Sequence, residues 1–321
     1  MRSGLEPVRL LCLQGMMPAM KQSVPAVSTA VYPAIATFSI VARDPETGDL
    51  GVATASKFLA VGAVVPFAKA NVGAIATQSH ANVSFSPRSI AALEQGIPPA
   101  LIAQAFADQD PEHALRQYGI VDAQGRSVSI TGDACHPWAG GISLDNLAAQ
   151  GNLLAGSQVI DALVETFQQA QGALAERLLQ GLAAADAAGG DKRGRQAAAL
   201  LVVRQNGGYG GLNDRYIDLR CDDHSQPVQE LQRLLELHRL YFEKPAAHDI
   251  LTVDAALCQR LQGILQRSGY WPAEQRLETW DAQAQQALER LAGVENLEER
   301  MLETGFIDKT VLRYLEERFP A

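Results

Sequence analysis

Cysteine is scarce. Cys12, Cys135, Cys221 and Cys258 are the only four in 321 residues, far apart and without a CxxC pair, which excludes a zinc ribbon or a dense disulfide framework. No run of about 18 apolar residues occurs, so no membrane-spanning helix is expected. Basic residues are outnumbered, 27 Lys plus Arg against 36 Asp plus Glu, and the net charge is −9. A chain that acidic is poorly suited to tracking a phosphate backbone, so nucleic acid is excluded as a partner. The six histidines are scattered, and the HExxH, P-loop and GxSxG motifs are all missing. No metal and no cofactor is implied. What is present is an ordinary globular composition, 47% hydrophobic and 20% charged, in a chain longer than one core usually needs. Two domains are expected.

Residues 1–36 read as a leader or arm. They hold Arg2, Glu6, Arg9, Lys21 and four prolines, with no sustained period. Met16, Met17 and Met20 leave the start codon open. From Met20 the stretch has a weak signal-peptide shape ending in Ala34-Ile35-Ala36, an A-x-A pattern. Pro25 and Pro33 and the thin apolar region fit an unstructured leader better, and both readings stay open.

At Thr37 the pattern changes. Phe38, Ile40 and Ala42 alternate along residues 37–43, which predicts a strand. A turn through Pro45 and Gly48 precedes a second strand at 50–55, and 72–77 is a third. Residues 89–94 and 99–107 have helical spacing. Residues 120–130 predict a hairpin turning at Gly125. Two helices cover about 157–188, and a strand pair, 198–204 and 215–220, flanks a loop at Gly207–Gly211. Val228, Leu231, Leu234, Leu235 and Leu237 form a stripe on a helix over 226–241. Two antiparallel sheets between helical layers satisfy that order, an α+β architecture. Lys244-Pro245 closes the unit. Residues 248–321, with 8 basic and 13 acidic residues, predict a small all-α domain of about three helices, marked by Leu257, Leu261, Ile264 and Leu265, by Ala284, Leu288 and Leu291, and by Val311, Leu312 and Leu315.

Six blocks in order, Thr37–Asp44, Ala55–Gly62, Gly73–Gln78, Gly151–Asn152, Gly189–Gln196 and Asp218–His224, resemble the DUF1028 family. The resemblance covers about residues 37–244. It implies membership of the N-terminal-nucleophile (Ntn) hydrolase superfamily and its αββα four-layer sandwich. Residues 248–321, through Ser268-Gly-Tyr-Trp271 and Gly293–Arg300, resemble a peptidoglycan-binding module. This chain departs from the family pattern in placing 36 residues before Thr37, Ala197 where Ser is common, and Ser84-Phe85 where Tyr-Gly is usual.

The resemblance implies Thr37 as nucleophile. A hydroxyl needs a base, and an N-terminal Thr carries its own, an α-amine with an ordinary pKa of about 7.7–8. Its Oγ would attack the carbonyl of a linear amide in a small substrate. The same Oγ would first attack the Ala36–Thr37 carbonyl and remove the leader. Ser56 and Lys57 follow the second strand, where Thr-nucleophile relatives place polar partners. Lys69, 32 residues after Thr37, resembles a proteasome-like lysine in spacing but also fits a solvated surface. Gln78 and Asn152 would supply oxyanion or orienting contacts. Asp191, Arg193 and Gln196 lie before a strand, where they would orient Thr37 or bind substrate, Arg193 by clamping a carboxylate. Asp222-Asp223-His224 reads as a helix cap rather than metal ligands, and Cys135 as a buried thiol.

A non-catalytic ligand-binding scaffold and a wall-associated protein acting through residues 248–321 are the competing readings. For that domain, binding to peptidoglycan or to a protein, through Tyr270, Trp271 and Trp280, is weighed against those aromatics filling its core. A homo-oligomer is expected from the apolar rims of such sandwiches. Cytoplasmic location is favoured by the lack of paired cysteines, and a periplasmic one by the A-x-A end.

Overall fold

The structure is a computed structural model and describes residues 36–321; the expected leader lies outside the described residues, apart from Ala36. The chain is mixed α/β, with eight α-helices and antiparallel sheets among those residues. Strands β1 (Thr37–Arg43), β2 (Leu50–Ser56), β3 (Pro66–Lys69) and β4 (Gly73–Ser79) precede helices α1 (Phe85–Glu94) and α2 (Pro99–Gln109). Hairpins β5 (Arg116–Asp122) with β6 (Ser127–Thr131) and β7 (Gly140–Leu144) with β8 (Leu147–Gly151) follow. Then come α3 (Gln158–Gln169), α4 (Leu174–Ala187), β9 (Ala197–Val203), β10 (Arg215–Cys221) and α5 (Pro227–Phe242).

One sheet has the order β10-β9-β2-β1-β8-β7 and the other β3-β4-β5-β6. The period-2 geometry of a strand sends successive side chains to opposite faces. On β1, Phe38, Ile40 and Ala42 join Leu163, Leu178, Leu182 and Leu231 of α3, α4 and α5. Val41 faces the other way, into a core shared with Val52, Ala74, Ala76 and Val121 of both sheets. On β4, Ile75 turns outward to Phe85, Ile90 and Phe106 of α1 and α2. Both sheets are therefore covered by helices outside and by each other inside.

The expected strands and helices are found, while β3 and the β7–β8 hairpin were not foreseen. Strand β3 has four residues and begins at Pro66, too short for a period. The β7–β8 hairpin is rich in glycine and alanine. Strand β8 is buried along its whole length between β1 and β7, so it shows no alternation.

The C-terminal part is helical, with α6 (Ala255–Arg267), α7 (Ala282–Val294) and α8 (Lys309–Arg318), plus a small ribbon of β11 (Ile250–Thr252) and β12 (Phe306–Asp308). Asp254, Asp281 and Asp308 cap the three helices, each accepting a backbone N–H at 2.8 Å. The aromatics considered for docking are packed inward. Trp271 is buried and donates its indole N–H to Gln275 O, Trp280 donates to Gln285 Oε1, and Tyr270 packs on the same core.

Helix α5 serves both cores: Val228, Leu231 and Leu235 belong to the first, Leu240 to the second. The last carbonyls of a helix lack intrahelical partners. Arg300, buried in the helical part, donates Nε to Leu240 O (2.9 Å) and Nη2 to Arg239 O (2.7 Å), which also accepts Glu243 N (3.2 Å), while Nη1 pairs with the buried Asp308. Arg300→Met should cost about 3–5 kcal/mol, because it strands the Asp308 carboxylate. Arg300→Met with Asp308→Asn should recover much of that, since Asn still caps α8 without a charge. Urea denaturation of the full chain measures both.

Candidate active site

Thr37 opens β1 and pairs with Ser56 at the end of β2. Ser56 in turn pairs with Ala197 at the start of β9. One rim of the six-stranded sheet therefore gathers the first residue of β1, the last of β2 and the loop before β9. The end of β8 joins them, since Asn152 N donates to Thr37 O at 3.0 Å. From the facing sheet, Gln78 and Gln117, paired across β4 and β5, reach the same rim.

The carbonyl oxygen of Ala36 is the focus of this rim. It accepts Ser56 Oγ at 2.5 Å and Arg193 Nη2 at 3.0 Å. Arg193 is held by Asp191, whose Oδ1 accepts Arg193 N (2.9 Å) and Nε (3.1 Å) and whose Oδ2 accepts Nη2 (2.8 Å) and Lys57 N (2.8 Å). Beside this carbonyl, Thr37 is fully buried and its Oγ1 has no hydrogen-bond partner among the described residues. Such groups are rare in native proteins and call for an explanation.

Behind Thr37 lies a buried amide network. Gln78 Nε2 donates to Thr37 O (3.1 Å), Gln117 Oε1 (2.9 Å) and Gln150 O (3.3 Å), and Gln78 Oε1 accepts Ser39 Oγ (2.5 Å). Gln150 Nε2 donates to Ser39 Oγ (2.7 Å), Gln117 Nε2 to Gly151 O (2.7 Å), and Asn152 Nδ2 to Gln117 Oε1 (2.8 Å). Gly119 makes room for it, since a Cβ there would lie 2.1 Å from Gln150 Oε1.

The residues singled out from sequence thus separate by position. Thr37, Ser56, Asp191 and Arg193 meet around one carbonyl. Gln78 and Asn152 hold the backbone of Thr37. Lys57 contributes its N–H to Asp191, while its ammonium reaches outward to Arg195 O at 3.3 Å. Gln196 continues the ladder, with its N–H on Ser56 O (3.0 Å), and its amide donates to Asp223 Oδ1 (3.1 Å). Lys69 is elsewhere: it pairs with Glu94 and lies opposite Gly73, five residues along β4 from Gln78, about 16 Å at strand rise.

His224 Nδ1 accepts Gln226 N at 3.1 Å ahead of α5. Among the described residues no group of three or more His, Cys, Asp or Glu could hold a metal ion. Cys135 is buried and donates to Arg116 O; burial pushes its thiol pKa up, away from the thiolate.

Sequence reading did not find Ser39, Gln117 or Gln150. A glutamine inside a strand looks like an exposed position, and only the facing sheet makes it a buried one. His80 and His136, whose ring centroids are 6.0 Å apart, also border this rim; His136 O accepts Leu153 N, next to Asn152.

Gln78→Leu should destabilise the chain by about 1–3 kcal/mol for each buried polar group it leaves unpaired. Lys57→Ala, on the surface, should stay within about 0.5 kcal/mol. Denaturant midpoints of the two variants test the contrast.

Comparison with known proteins follows the same division of the chain. No curated protein matches it. A crystal structure of a Silicibacter pomeroyi protein assigned to DUF1028 is 30% identical, with a TM-score of 0.58, covering 64% of this chain and 89% of that one. A model described as "Putative peptidoglycan binding domain" matches residues 241–315. The model described as "Family of unknown function (DUF1028)" matches residues 37–231, more than half of the chain. The chain belongs to the DUF1028 family.

Proposed function

We propose that this chain is an N-terminal-nucleophile hydrolase of a linear amide in a small substrate, with Thr37 as nucleophile. Its two helix-covered sheets are then the αββα sandwich of that superfamily. The observation that carries the reading is the Ala36 carbonyl, held by two donors next to a buried Thr hydroxyl without a partner among the described residues.

The first reaction is on the chain itself. Thr37 Oγ1 bonds to the Ala36 carbonyl carbon and gives up its proton. Negative charge develops on Ala36 O, where Ser56 Oγ–H and the Arg193 guanidinium already point, as an oxyanion hole requires. Collapse breaks the Ala36–Thr37 C–N bond, with the proton going to the departing nitrogen. An ester joins Ala36 to Thr37 Oγ1, and water hydrolyses it to the Ala36 carboxylate and a chain that begins at Thr37. The freed α-amine then serves as base, and a substrate carbonyl takes the place of Ala36 O. Gln78 and Asn152 act as positioning residues through Thr37 O.

Intact mass and N-terminal sequencing of the purified protein test this. Wild type should begin at Thr37 and Thr37→Ala should keep its leader. Ser56→Ala and Arg193→Met should each slow cleavage by about 10²–10³, as loss of one oxyanion donor does. A leader retained in wild type, or removed equally from Thr37→Ala, would sink the proposal.

The match over residues 241–315 favours a second role for the helical part, attachment to peptidoglycan. Its acidic balance gives no electrostatic help toward anionic wall polymers. The full chain should co-sediment with purified sacculi; a chain left wholly in the supernatant would end that reading.

A further inference from the structure

The Thr37 rim continues into a cleft of about 540 Å³, a volume within the range of small-ligand sites. It is lined by Lys57, which follows Ser56 of β2, by the end of α4 at Asp186, by the loop from Gly189 to Arg195 and by Ser225. The loop turns at Gly189 and Gly194, whose φ angles of 116° and 111° lie where glycine fits without strain. A Cβ at Gly194 would meet nothing within 4 Å among the described residues. The loop backbone therefore faces open space there.

The charges of the cleft sort into pairs and two that are left over. Asp186 accepts Arg195 Nε on both oxygens at 2.8 Å. Asp191 is buried, and its oxygens are taken by Arg193 and by the N–H of Lys57. Beyond the lining, Asp222 pairs with Arg220 at 2.9 Å and Asp223 accepts Gln196 Nε2. Lys57 Nζ reaches a carbonyl, Arg195 O, at 3.3 Å, and has no ion pair among the described residues. Lys192 is exposed and likewise has no ion pair among them. Two ammonium groups thus face the cleft without a carboxylate to neutralise them.

In a chain of net charge −9, this local excess of positive charge runs against the overall balance and draws anions to this rim. Its position is as specific as its sign. Lys57 adjoins Ser56 and Lys192 adjoins Arg193, and Ser56 and Arg193 are the two donors to the Ala36 oxygen. An anionic group held by the lysines therefore lies beside the place of the scissile carbonyl. A cation would be repelled by both ammoniums, and a neutral ligand would gain no charge-assisted bond from them. We propose that the substrate of the Thr37 site is an acidic amide, its carboxylate or phosphate group held by Lys57 and Lys192 in this cleft. The reaction rests on the hydrolase reading above; the anion site is tested without it.

Calorimetric titration of the purified protein at low ionic strength, with glutarate, inorganic phosphate and neutral glutaramide, tests the proposal. Saturable binding of at least one anion is expected, glutarate for a carboxylate substrate and phosphate for a phosphorylated one, and none of glutaramide. Lys57→Met and Lys192→Met should each weaken it about tenfold, as loss of one charged hydrogen bond does. Added salt should weaken it further. Both side chains are exposed, so neither variant threatens the fold. No saturable binding of either anion would overturn the proposal, as would equal binding of glutaramide. So would binding undiminished in the Lys57→Met, Lys192→Met double variant. Intact mass of the same samples separates the two readings. A retained leader with anion binding would end the hydrolase reading and leave an anion site, whereas a chain that begins at Thr37 and binds neither anion would do the reverse.

Discussion

Packing two sheets face to face removes water from the space between them, and every polar atom left there must find a partner within the protein. In most of this interior the problem is avoided, because Val41, Val52, Ala74, Ala76 and Val121 meet across the gap. At the Thr37 end it is met by amides. Ser39, Gln78, Gln117, Gln150 and Asn152 are all fully buried, and each has both hydrogen-bonding capacity and a neighbour placed to use it. A network of this kind is costly when incomplete and rigid when complete. Its rigidity falls on the backbone of Thr37, whose carbonyl takes donors from both Gln78 and Asn152. Thr37 Oγ1, like Thr77 Oγ1 and Ser79 Oγ on β4, has no hydrogen-bond partner among the described residues.

The same rule explains how the two parts of the chain are joined. Leu240, in the last turn of α5, is buried in the second core, and the last carbonyls of a helix need partners from outside it. Arg300 answers two of them, and its charge is met by Asp308. One guanidinium therefore ends a helix of the first part from within the second. Arg300 lies 60 residues beyond Leu240 in sequence, and the helical part gains its cap for α8 from the same Asp308.

Much of the fold was legible because it is written in periods. Phe38, Ile40 and Ala42 at spacing two, and Val228, Leu231 and Leu235 at helical spacing, mark surfaces that a single element buries, and those residues lie in one core. Strand β8 was not legible, since a strand covered on both faces has no polar side to reveal its period. Of the site, Thr37, Ser56, Asp191 and Arg193 came to notice through family blocks. Their convergence on the Ala36 carbonyl came only with the strand register, which sets Thr37 opposite Ser56. Gln117 and Gln150 carried no local signal at all. Their burial depends on a sheet whose strands lie far away in the chain.

The choice of arginine at position 193 bears on the chemistry proposed for the rim. A guanidinium is a rigid fork that stays charged, whereas a lysine ammonium is a mobile point. Asp191 grips that fork at Nε and Nη2 and grips the backbone of residue 193 as well. Nη2 is left with one direction to serve, the Ala36 oxygen. The carboxylate opposes a neighbouring oxyanion by its charge, but it also removes the reorganisation that a free side chain would need at the moment of reaction. Ser56 adds a neutral donor fixed by the end of β2. A carbonyl oxygen bound this way is already in an environment suited to more negative charge than it carries, which favours the transition state over the ground state. Asp191 therefore works through Arg193, and the pair is better understood as one oriented donor than as a salt bridge that stabilises the fold.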